Sequence, residues 1–290
     1  MLNFQFIFKS ACINLYKSKK TLTMAISKTK SIWLWVFSFI FTIAIAYYQR
    51  VTGPTTPVRG SVNIGETKIK FKLITTFEGS DDADVLIIVP DDVSGFIRYK
   101  RYKSYDDWTE TPMFRNENEL HAFIPGQPPA GKVEYLIVLK SKHQEYILTE
   151  NPVIIRFKGF VSRWILIPHI ILIFSAMVFS TRTGIEALFK GKRAFVYTYI
   201  TIFLLFFGGL FFGPLVQKAA FGDYWTGWPF GHDLTDNKTV VAFIFWLVAF
   251  FTMLKNRERR TWVIVASILL LIVYLVPHSV LGSEIDYTKP

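Results

Sequence analysis

The stretch AFVYTYITIFLLFFGGLFFGPLV, residues 194–216, holds no Asp, Glu, Lys or Arg. A helix across a bilayer needs roughly 20 such residues, so this segment reads as a membrane span. Four further apolar runs, Ile32–Tyr48, Trp164–Ser180, Val240–Leu254 and Trp262–Val276, give five spans in all. The last two are slightly short and are expected to borrow flanking residues or to tilt. A composition of 51% hydrophobic and 17% aromatic residues fits that reading and weighs against an ordinary soluble enzyme.

The net charge of +11 is distributed by side. Lys9, Lys17, Lys19, Lys20, Lys28 and Lys30 precede the first span. Arg182, Lys190, Lys192 and Arg193 lie between the second and third. Lys255, Arg257, Arg259 and Arg260 lie between the fourth and fifth. The positive-inside rule makes all three groups cytoplasmic. The basic N-terminus 1–31 is then inside, and the segment between spans 1 and 2, the loop 217–239 and the tail 277–290 are outside. Because the charge is sorted this way, with no accompanying nucleic-acid motif, a DNA or RNA partner is not expected. Ala44-Ile45-Ala46 has the small-x-small form of a cleavage site, but the apolar run is long, and the first span reads as an uncleaved anchor. Met24-Ala-Ile-Ser-Lys has the form of a start, which would make the first 23 residues an upstream extension. The lone cysteine, Cys12, lies on the inner side. An exported domain without disulfides suits a bacterial plasma membrane.

Residues 55–158 change period. Ile69, Phe71 and Leu73 alternate with Lys68, Lys70 and Lys72, as a half-buried strand does. Val85–Val89 reads as a more deeply buried strand. Gly95–Tyr102, Leu120–Ile124, Val133–Leu139, Glu145–Leu148 and Val153–Phe157 follow, with Pro, Gly and Asn between them. Seven or eight short strands predict an antiparallel all-β sandwich of the immunoglobulin or fibronectin kind, inserted between helices 1 and 2.

Two regions carry candidate chemistry. In the segment 98–108, Tyr99, Arg101, Tyr102, Tyr105 and Trp108 are of the types enriched at binding hot spots, and predict a surface for an extracytoplasmic protein or polysaccharide. The plainer reading packs Tyr99 into the core and solvates the cations. At the outer boundary, the topology delivers His169, His232 and His278 to one side, with Asp233 and Asp236 nearby. Imidazoles with a carboxylate suit a metal, and two histidines on different helices suit a haem. The plainer reading makes the histidines interfacial, Asp236 the N-cap of the fourth span, Asp233 a turn former, and Tyr224, Trp225 and Trp228 an aromatic belt. The glycine-rich loop itself is expected to fold over the bundle's outer mouth.

No catalytic set is evident. An acyl or sugar transferase using Asp233 or His232 as base lacks a nucleophile motif. Between their ends the spans hold no Asp, Glu, Lys or Arg, which disfavours an ion pathway. Gly209-x-x-x-Gly213 reads as a close helix contact within the chain. The leading expectation is a non-enzymatic membrane protein presenting a sandwich to a partner outside the cytoplasm. The alternative is a membrane metal or haem redox protein.

Overall fold

The computed structural model describes residues 26–276 and 282–289. His278, Cys12, Met24 and the lysines before Lys28 lie outside the described residues.

Helix α1, Lys28–Thr52, is capped by Ser27, whose side chain accepts from the Lys30 amide. Eleven strands follow, and then α2 (Arg163–Leu188), α3 (Ala194–Phe221), α4 (Leu234–Lys255) and α5 (Thr261–Leu275). Helices α1 to α4 are long and apolar enough to cross a membrane, and α5 is a shorter apolar helix. The helices outrun the apolar segments of the sequence. Helix α2 continues past Ser180 through Arg182, which was expected to lie in the connection between spans, and through Glu186. They pair at 2.7 Å one turn apart and neutralise one another inside the bundle.

Helix α3 is not uniform. Phe206–Phe212 forms a π-helical segment just before Pro214. Proline lacks an N–H and clashes with the carbonyl one turn back, so the helix widens there. In the same segment a Cβ on Gly209 would lie 2.8 Å from Thr239 Cγ2, so glycine permits α3 to close on α4. Of the Gly-x-x-x-Gly pair, Gly209 thus packs closely within the chain, while a Cβ on Gly213 would have room, with His169 Cε1 4.0 Å away.

The strands are β1 (Val58–Ile64), β2 (Thr67–Leu73), β3 (Thr76–Glu78), β4 (Ala83–Ile88), β5 (Ser94–Arg101), β6 (Thr109–Pro112), β7 (Phe114–Asn116), β8 (Glu119–Ile124), β9 (Lys132–Ser141), β10 (Gln144–Ile147) and β11 (Val153–Lys158). One sheet runs β3-β11-β9-β5-β6, with β10 also on β9. Another runs β4-β8-β7, and β1-β2 form a hairpin. Every pairing is antiparallel except β3 on β11. Ile69, Leu73, Val85, Ile87, Leu120, Ile124, Tyr135, Ile137, Ile155 and Phe157 form one shared core, so the sheets lie face to face as a sandwich. Tyr135 donates its hydroxyl to Ile74 O at 2.8 Å, satisfying the one polar atom this ring brings inside.

Strand β4 departs from its expected deep burial. It alternates, with Val85 and Ile87 inside and Leu86 and Ile88 exposed. Only one face of its sheet meets the core, and among the described residues the other face is left exposed at Leu86, Ile88 and Phe123.

The two parts of the molecule are tied together. Gly159 N donates to Ala220 O at 2.9 Å, joining the end of β11 to the end of α3. The tail after α5 then runs up the sandwich. Glu284 pairs with Lys103 and Lys132, Ile285 N donates to Ala130 O at 3.3 Å, and Tyr287 Oη donates to Gln127 Oε1 at 2.9 Å. The Arg101 guanidinium lies 4.6 Å from the Tyr287 ring centroid. Burial raises the Glu284 carboxyl, but its two lysine partners outweigh that and hold it below its ordinary value.

A candidate site at the mouth of the bundle

Where sandwich and helices meet there is a cavity of about 220 Å³. Its floor is apolar, from Ile173 on α2, Leu205 on α3, Ala242 on α4, and Leu270 and Val273 on α5. Its upper wall is polar, from Arg156 on β11, Gln217, Asp233, Lys238 and Ser283.

Local structure explains why these groups are fixed. Helix α3 ends at Gly222, whose φ of 95° reverses the chain while its amide donates to Lys218 O. The non-helical loop is thereby only Gly222–Asp233, shorter than the 217–239 read from the sequence. Asp233 is the N-cap of α4, accepting from Thr235 N at 2.7 Å. The role expected of Asp236 thus falls to Asp233. Asp236 instead sits in the first turn of α4 and reaches back to accept from Thr226 N (2.8 Å) and Gly227 N (3.1 Å). Asn237 Oδ1 accepts from Trp228 N at 2.7 Å. The loop is therefore stitched onto the first turn of the helix it precedes.

Asp233 does more than cap. Its other oxygen accepts from Ser283 N and Ser283 Oγ, both at 2.9 Å, and from Thr226 Oγ1 at 3.2 Å. Gln217 Nε2 donates to Thr226 Oγ1 (2.9 Å) and Ser283 Oγ (2.8 Å). Burial pushes the Asp233 carboxyl up, yet the amides of Thr235 and Ser283 and the hydroxyls outweigh it and hold the group below its ordinary value. A carboxylate so occupied fastens the tail to the helix end, and its oxygens are spoken for.

The cations are in the opposite condition. Arg156 is 8% exposed. Its Nη2 donates to Ser283 O, its Nε has no partner, and its guanidinium stacks 4.8 Å from the Phe221 ring centroid. Burial lowers its pKa, against the pull of Asp233 and Glu284. Lys238 is 9% exposed, and its Nζ donates to Val276 O at 2.9 Å. Among the described residues neither cation has a carboxylate within ion-pair distance.

The histidines expected to converge are placed differently. His169 lines the cavity, with Nδ1 at 2.9 Å from Gly208 O. The carbonyl makes Nδ1 the donor, leaving Nε2 as an acceptor. His232 is exposed on the loop and does not line the cavity. His278 lies outside the described residues. Among the described residues no group of three or more His, Cys, Asp or Glu is arranged to hold a metal. Trp225 lines the cavity and donates Nε1 to Trp228 O at 3.2 Å, while Tyr224 and Trp228 are exposed.

On the sandwich, Tyr99 packs against the core. Arg101 is paired with Asp106 at 2.7 Å, and this hydrogen bond holds the Asp106 carboxyl down at about 2. Tyr102 lies beneath Lys103 and Lys132, with the Lys132 ammonium 5.4 Å from its ring centroid. Tyr105 is 87% exposed, and Trp108 is exposed with Lys100 5.3 Å from its ring centroid.

Sequence reasoning missed Arg156, Gln217, Thr226, Lys238 and Ser283. Lys238 and Gln217 did carry a signal, as polar residues within a turn of an apolar run. Arg156 alternated correctly for a solvated strand position, and only the docked bundle buries it. No family model, curated protein or solved structure matches this chain.

Proposed function

We infer that the chain is a multi-pass protein of a bacterial plasma membrane, non-enzymatic, that holds an immunoglobulin-like sandwich on the outer mouth of its helical bundle to bind a protein or polysaccharide partner. Three features support the sandwich type. Strand β2 packs beside β4, β3 crosses to run parallel to β11, and β9 pairs with β5 and β11. These neighbours favour a two-sheet order of the kind immunoglobulin-like domains have. The inside orientation of the N-terminus rests on the basic connections 189–193 and 256–260, which join helix ends remote from the sandwich.

The observation that carries the reading is the clamp. The tail meets the sandwich where Ser283 O accepts from Arg156 and at Glu284 and Tyr287, yet Tyr105 and Trp108 remain exposed. A domain held rigidly with exposed aromatic side chains presents a surface at low entropic cost.

Two measurements test it. A cysteine at Lys142 or Thr288, in a Cys12→Ser background, should react with an impermeant maleimide on intact cells, and one at Arg257 only after lysis. The reverse pattern would sink the orientation. A photo-crosslinker at Tyr105 should yield a discrete adduct that Trp108→Ala abolishes, and one at Lys68 should not. Equal adducts at both positions would remove the surface.

A further inference from the structure

We propose that the cavity at the mouth of the bundle is a binding site for an amphiphilic anion, an oxygen-rich anionic head on a short apolar stem. The site is separate from whatever surface the sandwich presents.

Both oxygens of Asp233 are in use, accepting from Thr235, Ser283 and Thr226, and Asp236 gives one oxygen, Oδ2, to the amides of Thr226 and Gly227. The donors are less occupied. Arg156 has five N–H groups, and the described residues supply a partner at Nη2 alone while Nε is buried without one. Lys238 has three donors and a single carbonyl partner. Buried charge without a partner is costly, and these two cations remain more than nine-tenths buried beside an open space. Among the described residues neither cation has an acceptor charge in direct contact, and a carboxylate or phosphate head would provide one.

The floor sets the remainder of the ligand. Ile173, Leu205, Ala242, Leu270 and Val273 offer no hydrogen bond. Such a surface stays dry and favours hydrocarbon. An apolar cavity of about 150 Å³ takes a benzene, so 220 Å³ suffices for a head and a few carbons, and a whole lipid would need its chains to leave between helices. The same chemistry is met by a soluble organic anion or by the head of an anionic membrane lipid.

The test uses the full-length protein, freed of lipid in a non-ionic maltoside, with thermal unfolding as the readout. Hexyl phosphate should raise Tm saturably, and inorganic phosphate should act at least tenfold more weakly. Arg156→Gln and Lys238→Met should each weaken the hexyl phosphate response by roughly tenfold or more, the worth of one charge-assisted bond. Ala242→Leu, which fills the floor and touches no polar group, should lose the hexyl phosphate response while keeping that to phosphate. It therefore decides the matter even if a charge variant fails to fold. Native mass spectrometry of the protein before lipid removal distinguishes the sources: phosphatidylglycerol retained by wild type and absent from Lys238→Met assigns a lipid head, and a hexyl phosphate shift with no retained lipid assigns a soluble anion. The proposal is overturned if neither hexyl phosphate nor phosphatidylglycerol shifts Tm, if the variants respond as wild type does, or if phosphate matches hexyl phosphate. None of these outcomes bears on crosslinking at Tyr105, so this site and the sandwich surface stand or fall separately.

Discussion

The bundle buries cations at both of its ends, and the two ends treat them differently. At the end remote from the sandwich, Arg182 is fully buried and has a carboxylate in contact, although its Nε, like that of Arg156, is without a hydrogen-bond partner among the described residues and it too lines a cavity. Glu186 pairs with it at 2.7 Å, Ser31 accepts from it at 3.3 Å, and the rings of Tyr197 and Trp35 lie 5.3 and 5.7 Å away. Glu186 in turn accepts from Arg193 N at 3.1 Å, tying the α2–α3 connection. At the other end, Arg156 and Lys238 are nearly as buried and face a cavity, and among the described residues no carboxylate lies within ion-pair distance of either, although Asp233 and Glu284 act on Arg156 from further off. A charge neutralised by its own fold holds helices together. A charge left for something else to neutralise marks a site.

That contrast can be broken by substitution, and the largest effect should come from the closed end. Glu186→Gln leaves Arg182 buried without its carboxylate and should cost about 3–5 kcal/mol, read as a fall in the denaturation midpoint in detergent. Lys238→Met in the same lipid-free detergent should leave stability unchanged or raise it, because an apolar side chain replaces an uncompensated ion. Equal losses from the two variants would erase the distinction.

Asp233→Ala comes next. It removes an N-cap, worth about 0.5–2 kcal/mol, and also frees Ser283. Limited proteolysis should then cut within 282–289 faster than in wild type, while cleavage in the sandwich is unchanged.

The tail should also respond to acid. Glu284 and Asp233 are both held below their ordinary values. Groups depressed in the folded state contribute stability above the unfolded pKa and lose it as pH falls through the folded one. Hydrogen exchange at 283–289 should therefore be slow at pH 7 and quicken below about pH 4.5, before the sandwich core opens. Exchange independent of pH after correction for the intrinsic rate would show that these pairs do not hold the strap.

The smallest effect lies on the outer face of the sandwich. His121 Nδ1 sits 2.9 Å from Asp84 Oδ2, and this bond raises the imidazole above its ordinary value. A raised pKa contributes stability below the unfolded value that is lost as pH climbs through the folded one. In Asp84→Asn the His121 titration, followed by NMR of histidine-labelled protein, should move downward, and no movement would remove the pairing.

What the sequence made legible follows period and charge. The five apolar helices and the strand alternation of Thr67–Leu73 could be read because each pattern is local. The run Val85–Val89 misled because composition cannot tell a strand covered on both faces from one covered on one. Helix ends misled for a related reason: Arg182 and Glu186 look like a polar connection until their one-turn spacing lets them cancel. The site was half legible. His169, Asp233 and Asp236 were found by their position at one end of the bundle. Arg156 and Ser283 were not, since they arrive from β11 and from the tail, 127 residues apart in sequence. Only the docking of the sandwich on the bundle brings them together.

The most direct measurement is a crystal structure grown with 6-bromohexanoate at pH 7, where anomalous scattering locates the bromine. The account predicts the carboxylate against Arg156 or Lys238 and the bromine between Ile173, Leu270 and Val273. A well-ordered cavity with no bromine in it, and both cations satisfied by water, would contradict it.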